Sequence, residues 1–129
     1  MVSELITVYG ETDGSSTTGI FDLKSDIIHG SVDRIRIPRG MKLKIWAKRL
    51  SGKPLKLLIG FSKKGDFSDE VIIGQEVLSV EGEIAVEKRR PIVVRGMTGS
   101  EAVRFKWDQS DYGAGKSYVE IDVEFTDEE

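Results

Sequence analysis

Polar and apolar residues alternate with a period of two along most of this chain. Residues 117–125, SYVEIDVEF, set Val119, Ile121, Val123 and Phe125 on one side of an extended strand. Tyr118, Glu120, Asp122 and Glu124 fall on the other. Residues 41–50, MKLKIWAKRL, repeat the pattern with Met41, Leu43, Ile45 and Ala47 against Lys42, Lys44, Trp46 and Lys48. Residues 55–62 carry Leu55, Leu57, Ile59 and Phe61 on one face, and residues 101–107 carry Val103, Phe105 and Trp107. Shorter runs with the same bias lie at 4–9, 19–24, 32–37, 71–80, 84–88 and 91–95. No window of a dozen residues has helical spacing.

The runs are separated by turn chemistry. Pro38-Arg39-Gly40 predicts a tight turn joining 32–37 to 41–50 as a hairpin, and Ser51-Gly52-Lys53-Pro54 predicts another turn. Gly74 predicts a bulge or bend inside 71–80. About nine strands with frequent turns define an all-β, antiparallel sandwich, with a jelly roll as the expected topology. The chain has 129 residues, which predicts a single domain over 1–129. It shows no repeat and no linker between domains.

The first strand stands apart in two ways. Leu5 and Tyr9 face one side and Ile6 and Val8 the other, so the strand is apolar on both faces and seeks burial on both. Residues 10–19, GETDGSSTTG, have the composition of a flexible linker and exceed the usual hairpin loop of about two to five residues. Residues 1–9 are therefore expected to be a loosely tethered strand that completes its own sheet or is exchanged with another subunit.

Composition narrows the chemistry. There is no Cys, which excludes a thiol nucleophile, a disulfide framework and a thiolate metal site. Charged residues make up 32% of the chain, Asn is absent and Gln occurs only at 75 and 109; this is the bias of hyperthermophile proteins. The net charge of −3 does not favour nucleic acid as a partner. No signal peptide is visible and no apolar run reaches the roughly 18 residues of a membrane span, so the expected location is cytoplasmic or within a virion.

Catalytic groups are not evident. His29 is the sole histidine and no Gly-x-Ser-x-Gly elbow accompanies it. The pairs Asp66 with Asp69 and Asp108 with Asp111 lie in polar turns, where solvated turn roles outweigh calcium binding. No catalytic residue, metal ligand or cofactor is expected. Single-stranded nucleic acid could be held by Arg34, Arg36, Lys42, Lys44 and Lys48 around Trp46, and Lys88-Arg89-Arg90 adds a short basic run, but acids outnumber bases. Carbohydrate is the stronger ligand expectation. Tyr112, in the Gly-rich loop 108–116 with Asp108 and Asp111, is its best candidate; Trp46 and Tyr118 are others, while Trp107 shares a face with core residues.

Self-assembly is the leading expectation. Strands 32–37 and 41–48 present bases outward, and 117–125 presents acids. Arg104 and Lys106 are expected to neutralise those acids within one subunit, leaving the basic hairpin to meet another copy. Trp46 suits an interface centre, where aromatics and Arg are enriched and Lys depleted. The expected interface residues are Leu5, Ile6, Val8, Tyr9, Arg34, Arg36 and Trp46. The predicted function is thus a non-enzymatic structural subunit of a shell, filament or virion surface, forming homo-oligomers; a carbohydrate-binding module is the alternative.

Overall fold

The computed structural model describes residues 3–25, 28–78 and 91–127; the side chains of Ser3 and of residues 28–31 lie outside the described set. The described residues form eleven strands: β1 (Ser3–Glu11), β2 (Thr18–Ile20), β3 (Leu23–Ser25), β4 (Ile28–Val32), β5 (Ile35–Arg36), β6 (Met41–Gly52), β7 (Leu55–Ser62), β8 (Val71–Leu78), β9 (Ile92–Arg95), β10 (Ala102–Asp108) and β11 (Ser117–Asp127). No helix occurs among the described residues, and so none is long and apolar enough to cross a membrane. The expected strand 84–88, the turn 81–83 and the basic run 88–90 lie outside the described residues.

The strands build two antiparallel sheets. One has six strands in the order β4-β3-β1-β11-β6-β9; the other runs β2-β10-β7-β8, with β5 also pairing β10. With β3, β4 and β5 set aside, the remaining eight strands, renumbered 1 to 8 along the chain, are ordered 1-8-3-6 in one sheet and 2-7-4-5 in the other. This is the jelly-roll sandwich predicted from the sequence.

The alternating patterns become faces. On β6, Leu43, Ile45 and Ala47 are buried, and on β11 Val119, Ile121 and Val123 are. They meet Leu55, Leu57 and Ile59 of β7 and Val103, Phe105 and Trp107 of β10 in one core. Trp107 packs on Phe21 with ring centroids 5.0 Å apart. Each such side chain contributes about 1.5–3 kcal/mol on full burial.

The pairing corrects the expected hairpin. The turn exists, with Met41 N donating to Pro38 O at 3.2 Å. However, β5 joins β10 in one sheet and β6 joins β11 and β9 in the other. Residues 19–24 and 32–37 divide in the same way, since β2 and β5 lie in one sheet and β3 and β4 in the other. Alternation fixes which face a side chain takes and does not specify the neighbouring strand.

β1 pairs β11 of its own chain from Ser3↔Thr126 to Glu11↔Tyr118. The segment expected to be a slack tether carries local order. Thr12 is buried, its N donates to Ser117 O at 3.0 Å, and Ser117 N donates to Thr12 Oγ1 at 2.9 Å. Asp13 Oδ1 accepts from the backbone N of Ser15 and Ser16. Small polar residues suit a solvated linker and also suit side-chain-to-backbone turns; here they make the latter.

Candidate functional site

β8 is the outermost strand of its sheet among the described residues, and it keeps a cluster of apolar side chains in solvent. Val71 is 55% exposed, Ile72 47%, Ile73 38% and Val77 48%. A bulge explains the run. Ile59 faces Gly74 and Gly60 faces Ile72, so Ile73 is an extra residue without a counterpart on β7. Alternation is interrupted there, and neighbouring isoleucines are both left exposed. Half-buried Leu58 of β7 lies opposite Gln75 and extends the apolar strip inward.

Gly74 faces the core at this bulge. A Cβ at Gly74 would stand 2.5 Å from Ile92 Cδ1, so the glycine is the socket in which β9 of the opposite sheet rests. The other end of β8 is fastened by Arg49, which is buried and donates from Nε to Leu78 O at 3.1 Å. The strip is thus held firmly from below while its outer side stays apolar.

A polar wall bounds the strip. Glu70, just before β8, receives Arg104 Nε at 2.7 Å, Arg104 Nη2 at 2.9 Å and Lys106 Nζ at 3.2 Å. The hydrogen bonds from Arg104 hold the Glu70 carboxyl below its ordinary range. Gly60 permits this approach, because a Cβ there would lie 2.0 Å from Glu70 Oε2. The Arg104 guanidinium also covers the Phe67 ring at 4.4 Å, and that of Arg34 approaches it at 4.9 Å. Phe67 has φ 62°, a conformation unusual for a residue with a bulky side chain. Ser62 Oγ fixes it by accepting from the N of Phe67 and of Gly65 while donating to Asp69 Oδ1 at 2.6 Å.

The outer face of the six-stranded sheet has a different character. Across β11 and β6, Glu120 faces Lys48, Asp122 faces Trp46 and Glu124 faces Lys44. Lys48 Nζ lies 3.1 Å from Glu120 Oε2, and Lys44 Nζ lies 3.8 Å from Glu124 Oε1. Asp122 accepts from Thr7 Oγ1 at 2.7 Å. These contacts overturn the expected charge pairing: the acids of β11 are met by the lysines of β6, while Arg104 and Lys106 lie in the other sheet and serve Glu70. The basic strand has its acidic neighbour within the chain.

The expected interface residues do not form one surface. Leu5, Tyr9 and half-buried Trp46 share the outer face of the six-stranded sheet, with Leu5 opposite Glu124 and Tyr9 opposite Glu120. Val8 is buried in the core and Ile6 packs against it. Arg34 and Arg36 lie at the β5 side of the other sheet, where Arg34 pairs Asp33 and donates to Gly65 O. Arg36 is exposed.

The loop expected to hold a ligand is shaped by a buried glutamine. Gln109 Nε2 donates to Gly115 O at 3.1 Å and its Oε1 accepts from Gly115 N at 3.3 Å. Tyr112 is half-buried, and its backbone N bonds Gln109 O. Asp108 caps the turn by accepting from Ser110 N at 2.8 Å, with the Ser110 bonds lowering its carboxyl from the ordinary value. Asp111 is exposed. Among the described residues no three His, Asp or Glu side chains gather as a metal site. His29 is carried on β4, and its side chain lies outside the described residues.

The residues of the β8 strip were not among the expected site residues, although the sequence carries a signal for them. Val71-Ile72-Ile73 breaks the period of two just before a glycine, which in an edge strand leaves an apolar side chain on each face.

No protein-family model matches this chain, and no curated protein matches it. Solved structures resemble it loosely. The CBM22-1 and GH10 modules of the N-terminal endo-1,4-β-D-xylanase 10B of Clostridium thermocellum, complexed with xylohexaose, align over 94% of this chain with 9% identity and a TM-score of 0.45; this chain spans 26% of that one. A cleaved adhesin domain of Lys-gingipain from Porphyromonas gingivalis aligns over 97% of this chain and 90% of its own, with 16% identity and a TM-score of 0.46. A chain of the cyanophage Pam1 capsid aligns over 95% of this chain and 84% of its own, with 11% identity and a TM-score of 0.38. Overlaps this loose carry no argument about function.

Proposed function

We propose that this protein is a non-enzymatic structural subunit that associates with further copies of itself, and that β8 is the contact. One observation carries the reading: an outermost strand with Val71, Ile72, Ile73 and Val77 in solvent, on a chain that is 32% charged. Soluble proteins ordinarily blunt such edges with charge. A second copy laid against β8 gains main-chain hydrogen bonds and covers these side chains.

The magnitudes favour a weak pairwise contact. Four aliphatic side chains contribute about 1.5–3 kcal/mol each on full burial. Association costs about 4–15 kcal/mol of lost freedom. Because these side chains are already about half buried, one contact of this size does not outweigh its cost, so stable assembly draws on many contacts at once, as in a shell, filament or virion surface. The charged face of the six-stranded sheet, satisfied within the chain, is the side left to solvent.

Light scattering across a concentration series tests this. The expected mass rises with concentration and returns to the 14.4 kDa monomer in the variant Ile72→Lys with Val77→Lys. An unaltered protein that stays at 14.4 kDa at every concentration would end the proposal.

A further inference from the structure

At the β2 end of the five-stranded sheet, the end opposite β8, the loops and strand ends around Glu11, Ile20 and Lys24 hold a groove in two contiguous parts. The larger part, about 400 Å3, is lined by Ile20, Trp107, Asp13 and Lys116. The smaller part, about 200 Å3, is lined by Tyr9 and Tyr118. Glu11, Asp22 and Lys24 line both.

The tyrosines stand side by side. Tyr9 faces Glu120 and Glu11 faces Tyr118, so Tyr9 and Tyr118 are diagonal neighbours on adjacent strands, with Cα atoms about 7–8 Å apart. Lys24 of β3 continues the row beyond Tyr9. Tyr9 is 39% exposed and Tyr118 43%, each showing ring to solvent.

The floor and walls are fixed. Trp107 Nε1 donates to Ser16 O at 3.2 Å. A Cβ at residue 19 would stand 2.2 Å from the indole, so Gly19 lets the ring lie against the backbone. The Thr12–Ser117 hydrogen bonds hold the neighbouring Glu11 and Lys116 in place, with Lys116 Nζ 3.7 Å from Glu11 Oε2.

The groove's chemistry selects its occupant. The two exposed tyrosines offer apolar ring surface, while carboxylates and ammonium groups around them accept from and donate to hydroxyls. Three carboxylates disfavour a phosphate-bearing chain, and the two lysines among them cancel most of the attraction a polycation would feel. A molecule with apolar ring faces, hydroxyl edges and no net charge satisfies both conditions. We infer that this groove binds a neutral oligosaccharide, its rings resting on Tyr9 and Tyr118 and its hydroxyls bonded by Glu11, Asp22 and Lys24. The site lies on the far side of the molecule from β8 and does not depend on the assembly reading. It also differs from the 108–116 loop to which the sequence pointed.

Isothermal titration with neutral hexaoses of glucose, xylose, mannose and galactose tests the inference. At least one is expected to bind with a Kd below about 1 mM. Tyr9→Ala and Tyr118→Ala are each expected to weaken it by about tenfold or more, with the circular dichroism spectrum unchanged, and Tyr112→Ala to leave it unaltered. Failure of all four hexaoses to bind would overturn the inference. So would binding that survives in the double tyrosine variant.

Discussion

The outer face of the six-stranded sheet and the β8 margin are both solvent-facing, yet they are finished in opposite ways. On the first, lysines of β6 face carboxylates of β11 at 3.1 and 3.8 Å, and Thr7 bonds the third acid, Asp122. On the second, a bulge turns neighbouring isoleucines outward with no charge among Val71, Ile72 and Ile73. A striped charge pattern along one strand can therefore be answered by the strand beside it, and it does not by itself announce a partner. Apolar exposure on an edge strand has no such answer within the described chain.

The strongest way to break this contrast is to place lysines at Ile72 and Val77. All higher-mass species are expected to disappear while the fold persists; unchanged assembly would move the contact elsewhere. Glu101 sets a reference for stability away from both regions. It is buried, and burial alone would raise its carboxyl. Donation by the backbone N of Met97, Thr98 and Gly99 and by the Thr98 hydroxyl outweighs that and holds it at about 2, against an ordinary 4.5. A depressed folded value means stability that is present above pH 4.5 and lost as pH falls toward 2. Glu101→Gln is expected to cost about 3 kcal/mol at neutral pH and to flatten the acid limb of a urea-denaturation series.

Smaller effects separate the two regions further. Glu70→Gln removes the carboxylate that gathers Arg104 and Lys106 and is expected to cost about 2 kcal/mol, read by thermal melting, with assembly retained. Trp46→Ser on the charged face is expected to cost about 1–2 kcal/mol through lost packing, with no change of mass. Lys44→Ala and Lys48→Ala should each cost only about 0.2–1 kcal/mol, and added salt should erase most of the difference. A loss of oligomer in either lysine variant would return the contact to the six-stranded sheet.

The sequence made the strands legible and their partners illegible. Residues 55–62 match β7, and 41–50 and 117–125 lie within β6 and β11, because side-chain alternation is a local property of an extended chain. Gly74 was likewise readable as a bulge. Pairing is not local. β6 finds β11 across the chain, and the turn at Pro38 leads from one sheet to the other. The charge argument failed at that step, since it assigned Arg104 and Lys106 to acids that β6 already held. The two tyrosines of the groove were invisible as a pair for the same reason: only the β1–β11 register brings residues 9 and 118 together.

That register has a consequence for how the molecule comes to exist. β11 slots between β1 and β6, and the Thr7–Asp122 bond closes a loop of 115 residues. The middle of the larger sheet cannot be completed until both ends of the described chain have arrived, which makes folding slow for its size and leaves β1 and β6 waiting with their edges bare. A growing chain halted before Ser117 would expose those strands to any neighbour with an edge of its own.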